Sequence, residues 1–320
     1  MTDERDADRP GGSAVPRGSL SGSTRSGMPL SLNREPAADL APWIARIAVT
    51  RVDTASDFEV ECALCNDIAW QRVILDGNWE DCTGPQPVSY SRGSILIGPH
   101  SQHFDTRCTG TIANVGVAFR PGALHALFGR DTGTIVDRIE RSDQLSLMGE
   151  GPDFGYPPDA SAHEWADIAE ERARKFIRDA AARPPNPMST AFEAASFANP
   201  NIKVGDFAKQ QGVNRRTLER LVKRDFGLTP RTVLRRARTL DLAAQLLGIA
   251  DEEEEAEFLL RYFDQAHLIR EFQAFFGVTP AAFRAESHML MTINLEVRSA
   301  RRLEELKRLR PGDRRPWSDS

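Results

Sequence analysis

The run Arg183-Pro184-Pro185-Asn186-Pro187 constrains this chain more than any other feature, because no helix continues through that many prolines. It divides the sequence into two textures. Before it, apolar residues come in short bursts closed by turn residues: Trp70 to Leu75 before Asp76-Gly77, Ser94 to Ile97 before Gly98-Pro99, and Ile112 to Phe119 before Arg120-Pro121-Gly122. Bursts of this length bounded by Gly, Pro and Asp predict strands, and several at such spacing predict a small antiparallel barrel or sandwich. Pro121-Gly122 opens a short helix over Ala123 to Phe128. After the break, Met188 to Phe283 reads as helices alone.

With 320 residues the chain has room for two ordinary domains, and the prolines mark their boundary. The spacing assigns residues 1–36 to a disordered tail, because they carry almost nothing apolar to bury. It assigns 37–183 to a strand-rich domain closed by a helix within 159–182. That helix shows Trp165, Ile168, Ala169, Ala173, Phe176 and Ile177 on one face, a stripe able to pair with a second copy. Residues 184–290 form the helical domain, and 291–320 a basic C-terminal extension, solvated or reaching a polyanion.

The longest near-continuous apolar stretch, Ile112 to Phe119, is far short of the ~20 residues of a membrane helix. The acidic start is no secretory signal, and four cysteines are too few for a disulfide scaffold. These readings place the chain in the cytoplasm.

Two helical segments share one plan. In the first, Phe207 and Ala208 face inward on a short helix that Gly212 ends. Asn214 then caps a second helix, which Gly227 stops. Leu218, Leu221 and Val222 form that helix's buried stripe, and Arg216, Glu219 and Arg220 share the opposite face. A helix, a glycine turn and a second helix with a polar face is the helix-turn-helix plan. Arginine donates bidentately to guanine and glutamate accepts from cytosine N4, so this face carries groups suited to base edges.

In the second segment Asp264 is the N-cap, Leu268, Phe272 and Phe275 are apolar, and Gly277 is the stop. Gly277-Val278-Thr279-Pro280 echoes Gly227-Leu228-Thr229-Pro230. Between the segments, Pro230 to Leu247 is long enough for one rigid helix.

With these blocks in place, the sequence resembles the AraC family of bacterial transcription regulators. The carrying residues are Arg216-Thr217-Leu218-Glu219-Arg220, Gly227-Leu228-Thr229-Pro230, Phe263-Asp264-Gln265-Ala266-His267-Leu268-Ile269-Arg270-Glu271-Phe272 and Gly277 through Arg284. The resemblance implies an α+β chain: an N-terminal small antiparallel β-barrel, cupin-like, and a C-terminal all-α domain with two helix-turn-helix units joined by a long helix. Its reading helices would enter successive major-groove turns about 34 Å apart. The DNA-facing candidates are Arg215, Arg216, Thr217, Glu219 and Arg220 in the first unit and Gln265, Ala266, His267 and Arg270 in the second. Ile97-Gly98-Pro99-His100 and Val117 through Gly122 are similar to a sensor domain of some family members.

The partners implied are double-stranded operator DNA, an unknown small-molecule effector and a second copy in a homodimer, with RNA polymerase a further candidate. No membrane partner, cofactor or enzymatic activity is expected. Two alternatives are a cupin-type metalloenzyme with a helical appendage, and a regulator whose second unit serves protein interaction.

The second unit departs from the family pattern. Arg261 in Leu260-Arg261-Tyr262-Phe263 stands where the turn glycine belongs, and Asp251 through Glu257 is acidic. Lys203 to Arg238 holds 11 basic and 3 acidic residues, whereas Thr239 to Leu290 holds 3 basic and 10 acidic. The charge split assigns phosphate contacts to the first unit.

His100 and His103, and Cys62 and Cys65, are spaced three apart. On a strand that spacing sends the pair to opposite faces, so the reading is core cysteines and loop histidines rather than a metal site.

Overall fold

The computed structural model describes residues 19–23, 29–52, 58–83, 88–142, 146–149, 154–250, 265–286 and 288–308. Its N-terminal part is a nine-stranded antiparallel sheet, and its C-terminal part is helical. The strands are β1 (Ser19–Ser23), β2 (Pro29–Arg34), β3 (Ile44–Val52), β4 (Glu59–Leu64), β5 (Trp70–Asp81), β6 (Val88–Tyr90), β7 (Gly93–Ile97), β8 (Phe104–Phe119) and β9 (Ile139–Arg141). They run in the order β1-β2-β3-β8-β5-β7-β9, with β4 added to β8 and β6 to β5. The spine is β8, which pairs with β5 along one side and with β4 and then β3 along the other.

The three expected strand bursts fall in β5, β7 and β8, and the expected short helix is α1 (Ala123–Phe128). The expected tail ends earlier than residue 36. β1 pairs with β2, and β2 with β3. Leu32 is buried, and Arg34 reaches Asp167 and Glu170 at 2.5 Å each. One leucine and one ion-paired arginine dock a segment whose composition otherwise reads as polar.

One face of the sheet is covered by α2 (Ala162–Asp179), which opens with a capping box between Ser161 and Glu164. Its stripe Trp165, Ala166, Ala169, Ala173 and Ile177 is buried in a core with Ile47, Val73, Val115 and Val117 of the sheet. That stripe is used within the chain, so it is not a self-pairing face.

The helical part continues with α3 (Pro187–Ala198), α4 (Val204–Gln210), α5 (Arg215–Phe226), α6 (Pro230–Leu246), α7 (Gln265–Phe276), α8 (Pro280–Ala285) and α9 (Met289–Glu305). The caps follow the local sequence. Asn214 accepts from the Thr217 N–H at 2.8 Å, and Thr229 and Thr279 cap α6 and α8, each followed by proline at the first helical position.

The basic C-terminal extension proves to be internal up to the end of α9. Leu290, Met291, Ile293, Leu295, Val297, Ala300 and Leu303 are all buried, as are Arg298, Arg301 and Arg302. The helix lies between the sheet and the other helices. The Met291 N–H donates to Cys62 Sγ at 3.3 Å and Asn294 to Asn66 at 3.0 Å on one side. On the other side Arg302 donates to the Phe197 carbonyl of α3 at 3.1 Å. Its arginines read as a solvated tail only because their partners are remote in sequence. Arg301 grips Asp67 at 3.0 Å and also binds Glu193, while Arg298 binds Asp241 at 2.6 Å. Removing one partner from such a buried network costs more than an exposed pair would.

Candidate nucleic-acid interface

The first unit has a core of its own. Phe207 and Ala208 of α4 and Leu218, Val222 and Phe226 of α5 close on Phe192, Leu228, Val233 and Leu234. Leu221, expected in the stripe, is only partly buried. With its apolar side fixed, α5 turns Arg215, Arg216, Thr217 and Arg220 to solvent, and Glu219 is partly exposed beside them. These residues, with Asn214, Lys223, Thr229 and Arg231, line an open cleft between α5 and the start of α6. Arg215 is paired along the helix, its Nε donating to Glu219 at 2.8 Å.

The charge split needs one correction. Of the 11 cations in Lys203 to Arg238, Arg236 is buried, and Arg224 and Arg238 are partly buried and ion-paired with Asp225 and Glu271. The remaining eight, including Lys203, Lys209, Lys223, Arg231 and Arg235, are exposed, so the positive surface persists.

The second unit is set differently. Phe272, Phe275 and Phe276 of α7 and Phe283 of α8 belong to one core with Trp70, Ile74, Ile95 and Cys108 of the sheet. Ala266, His267 and Arg270 are exposed on the far side of α7. His267 Nε2 stands 3.2 Å from Glu271, which Arg238 of α6 also holds. Gln265 opens the helix. The acidic run Asp251 to Glu257, the turn at Arg261 and the Asp264 cap lie outside the described residues.

The two echoing glycines do similar work. Gly227 ends α5 at a φ of 76°, and a Cβ there would come within 2.4 Å of Val136 and 3.1 Å of the Thr132 carbonyl. Gly277 follows α7 at a φ of 74°, and a Cβ there would meet the His103 ring at 3.3 Å. Each needs the left-handed region that glycine tolerates, and they let α5 and α7 end against the N-terminal domain. His103 fixes the second contact, its backbone N–H donating to the Phe275 carbonyl at 3.0 Å and its Nδ1 lying 2.9 Å from the same oxygen. The Gly122 N–H donates to the Asp225 carbonyl at the first. Between them Arg236 of α6 donates to the carbonyls of His100 and Asp67 at 2.7 and 2.6 Å. Sequence reasoning missed all three joints, although the paired glycines were its one visible signal.

His100 is fully buried and accepts from the Asn66 N–H at 3.2 Å, and burial pushes its imidazole down to about 3. The four cysteines are unpaired. Burial pushes the thiols of Cys62 and Cys108 up to about 11 and 12, the opposite of the shift a reactive thiolate needs. Among the described residues no group of three His, Cys, Asp or Glu converges as metal ligands, and no helix is long and apolar enough to cross a membrane.

Residues 207–286 match the family model described as a helix-turn-helix domain, and residues 33–140 match a domain of unknown function, DUF6597. No curated protein sequence matches the chain. Among solved structures, apo ToxT from Vibrio cholerae is 10% identical over 79% of this chain and 99% of its own, with a TM-score of 0.41. The AraC-like transcriptional activator CuxR is 14% identical over 72% of this chain and 86% of its own, with a TM-score of 0.31. The two family matches fall on the two parts that the prolines separate: the C-terminal part matches a helix-turn-helix domain, and the part before it matches a DUF6597 domain.

Proposed function

We propose that this chain is a sequence-specific regulator of transcription that binds double-stranded operator DNA and takes a small-molecule signal in its N-terminal domain. The observation that carries the reading is the exposed face of α5, set among eight exposed cations on a self-contained unit. Arg216 and Arg220 supply bidentate donors for guanine, and Glu219, steadied by Arg215, supplies an acceptor for cytosine N4. Lys203, Lys209, Lys223, Arg231 and Arg235 are placed to hold phosphates, which set register before bases are read. The second unit contributes Gln265, Ala266, His267 and Arg270 with less positive charge around them.

The signal has a short route to the DNA. Both reading helices end against the N-terminal domain at Gly227 and Gly277, so a shift there moves both. The reading includes a homodimer, through a surface other than the buried stripe of α2, and leaves RNA polymerase as a further partner. The test is a gel shift across salt concentrations. If about six phosphates are held, affinity falls ~10³-fold or more between roughly 50 and 200 mM salt. An affinity flat in salt sinks the reading.

A further inference from the structure

Beside His103 the N-terminal domain and the second unit do not close on each other completely. A cleft of 560 Å³ lies between β4 and β8 on one side and the chain from Phe276 to His288 on the other. Its polar lining is acidic. Glu61 and Asp105 stand on the strands and Glu286 follows α8, while Arg107 is the one permanent cation among the described lining residues. That arginine is already answered three times, by Glu61 at 2.7 Å, Glu59 at 3.3 Å and Glu80 at 3.6 Å. It has no charge to spare for an anion, whereas the Glu286 carboxylate has no partner among the described residues.

Two histidines of the lining present acceptors rather than donors. A carbonyl only accepts, so the His103 Nδ1 that lies 2.9 Å from the Phe275 oxygen carries the proton. In the neutral ring Nε2 is then an acceptor, and it faces the Asp105 carboxylate at 3.6 Å. Two acceptors at that separation do not attract each other, but one ammonium nitrogen can sit about 2.8 Å from both. His288 repeats the arrangement. It is 7% exposed, stacks on Phe283 with ring centres 3.9 Å apart, and commits its Nε2 to the Phe283 carbonyl at 2.6 Å. Its Nδ1 keeps a lone pair that no described donor meets, in a side chain that borders the cleft.

The second unit adds an apolar wall. Phe276, Val278 and Phe283 line the same cleft, and the two phenylalanine rings lie 5.0 Å apart. No three ligands converge among the described residues as a metal ion requires, so the missing partner is a donor with reach. A guanidinium is a flat fork that suits one carboxylate, whereas an ammonium turns three donors toward acceptors on different elements. Surplus negative charge, unmet acceptors and aromatic faces together select an ammonium on an apolar body.

We infer that this cleft binds a small primary amine of apolar character, with His103 and Asp105 accepting from its ammonium and His288 and Glu286 beside them. Such a ligand would bridge β8 and the end of α7, where His103 already lies against Gly277. Its use as the signal rests on the N-terminal domain being the receiver, and the site then names the chemical class of that signal.

Benzylamine is the probe, titrated calorimetrically to about 10 mM into the full chain at about pH 8, where imidazoles are ordinarily neutral and the amine is charged. Benzyl alcohol supplies the body without charge, methylamine the charge without the body, and benzoate the opposite charge. Benzylamine should bind saturably, one per chain, and raise the melting temperature by mass action. The other three should bind at least ~10-fold more weakly. Asp105→Asn should weaken benzylamine ~10-fold and Glu286→Gln less. The Asp105 side chain is half exposed and Glu286 is exposed, so both variants should fold. Glu171→Gln, on α2 and outside the cleft, should change nothing. Ring-nitrogen resonances of His103 and His288 should move on binding, and those of the other histidines should not. No saturable binding, equal binding of any of the three controls, or parental affinity in Asp105→Asn overturns the site. The measurement contains no DNA, so a failed gel shift leaves it standing. Benzylamine binding that leaves operator affinity unmoved keeps the site and removes its role as the signal.

Discussion

The two helix-turn-helix units share a sequence plan, but they are built into the molecule differently. The first closes its own core around Phe192, Phe207, Leu218 and Phe226 and touches the N-terminal domain at the end of α5. The second spends its phenylalanines on the sheet, so Phe272, Phe275 and Phe283 share one core with Trp70 and Ile74. A self-contained unit can move without disturbing its neighbour, whereas one fused to a sheet can move only with it. The unit with the positive surface is the separable one, and the unit with the acidic sequence is structural as well as exposed.

The sharpest way to break this comparison is to empty each core in turn. Phe272→Ala should cost about 3–5 kcal/mol and Leu218→Ala about 2–5 kcal/mol, the usual range for large cavities. The decisive readout is amide hydrogen exchange. Phe272→Ala should expose amides of β5 and β8 together with α7, while Leu218→Ala should expose α4 and α5 and leave the sheet protected. The same set of amides released by both variants would show one undivided core.

A second test cuts the link between the parts. Asp67→Ala leaves Arg301 and Arg298 buried without a partner they now share, beside Arg236 on α6. The expected loss is about 3–5 kcal/mol by chemical denaturation. A loss no larger than an exposed pair gives would mean that α9 is not the joint between sheet and helices.

What the sequence disclosed follows the range of the forces involved. Asn214, Thr229-Pro230 and Gly227 act within one turn of chain, so caps, stops and the exposed face of α5 could be read directly. The strands around Ile95 and Val115 were legible because buried strands are apolar along their length. The C-terminal helix was not legible. Arg298 and Arg301 look like any basic tail until Asp67, Asp241 and Glu193 are seen beside them, and those lie 57 to 234 residues away. The same holds for β2, where Arg34 finds its acids on α2. At the candidate site, the side chains were visible in sequence, but the docking of Gly277 on His103 was not.

The third test compares the reading faces themselves. Arg216→Ala and Arg220→Ala should each cost about 1–3 kcal/mol of operator binding and relax specificity at one or two base pairs. Gln265→Ala should cost clearly less, because fewer cations surround α7 to hold phosphates in register. Equal losses in a titration at fixed salt would mean that both units read DNA with the same authority.

The smallest effect concerns Arg215, which sits on α5 yet is spent on its neighbour. Its Nε donates to Glu219 at 2.8 Å, and its side chain is 69% exposed against 43% for Glu219. An exposed pair four residues apart contributes little to folding, so Arg215→Ala should change stability by about 0.3–0.5 kcal/mol. Its effect on DNA depends on which partner Arg215 keeps in the complex. If it holds Glu219 toward a cytosine, the variant loses discrimination at that one base pair and keeps its salt dependence. If it swings to a phosphate, affinity falls across all sequences and the slope of log affinity against log salt shrinks by about one. The observed pairing favours the first outcome. A salt titration of Arg215→Ala beside Glu219→Ala decides it, because two changes that act through one contact should not add.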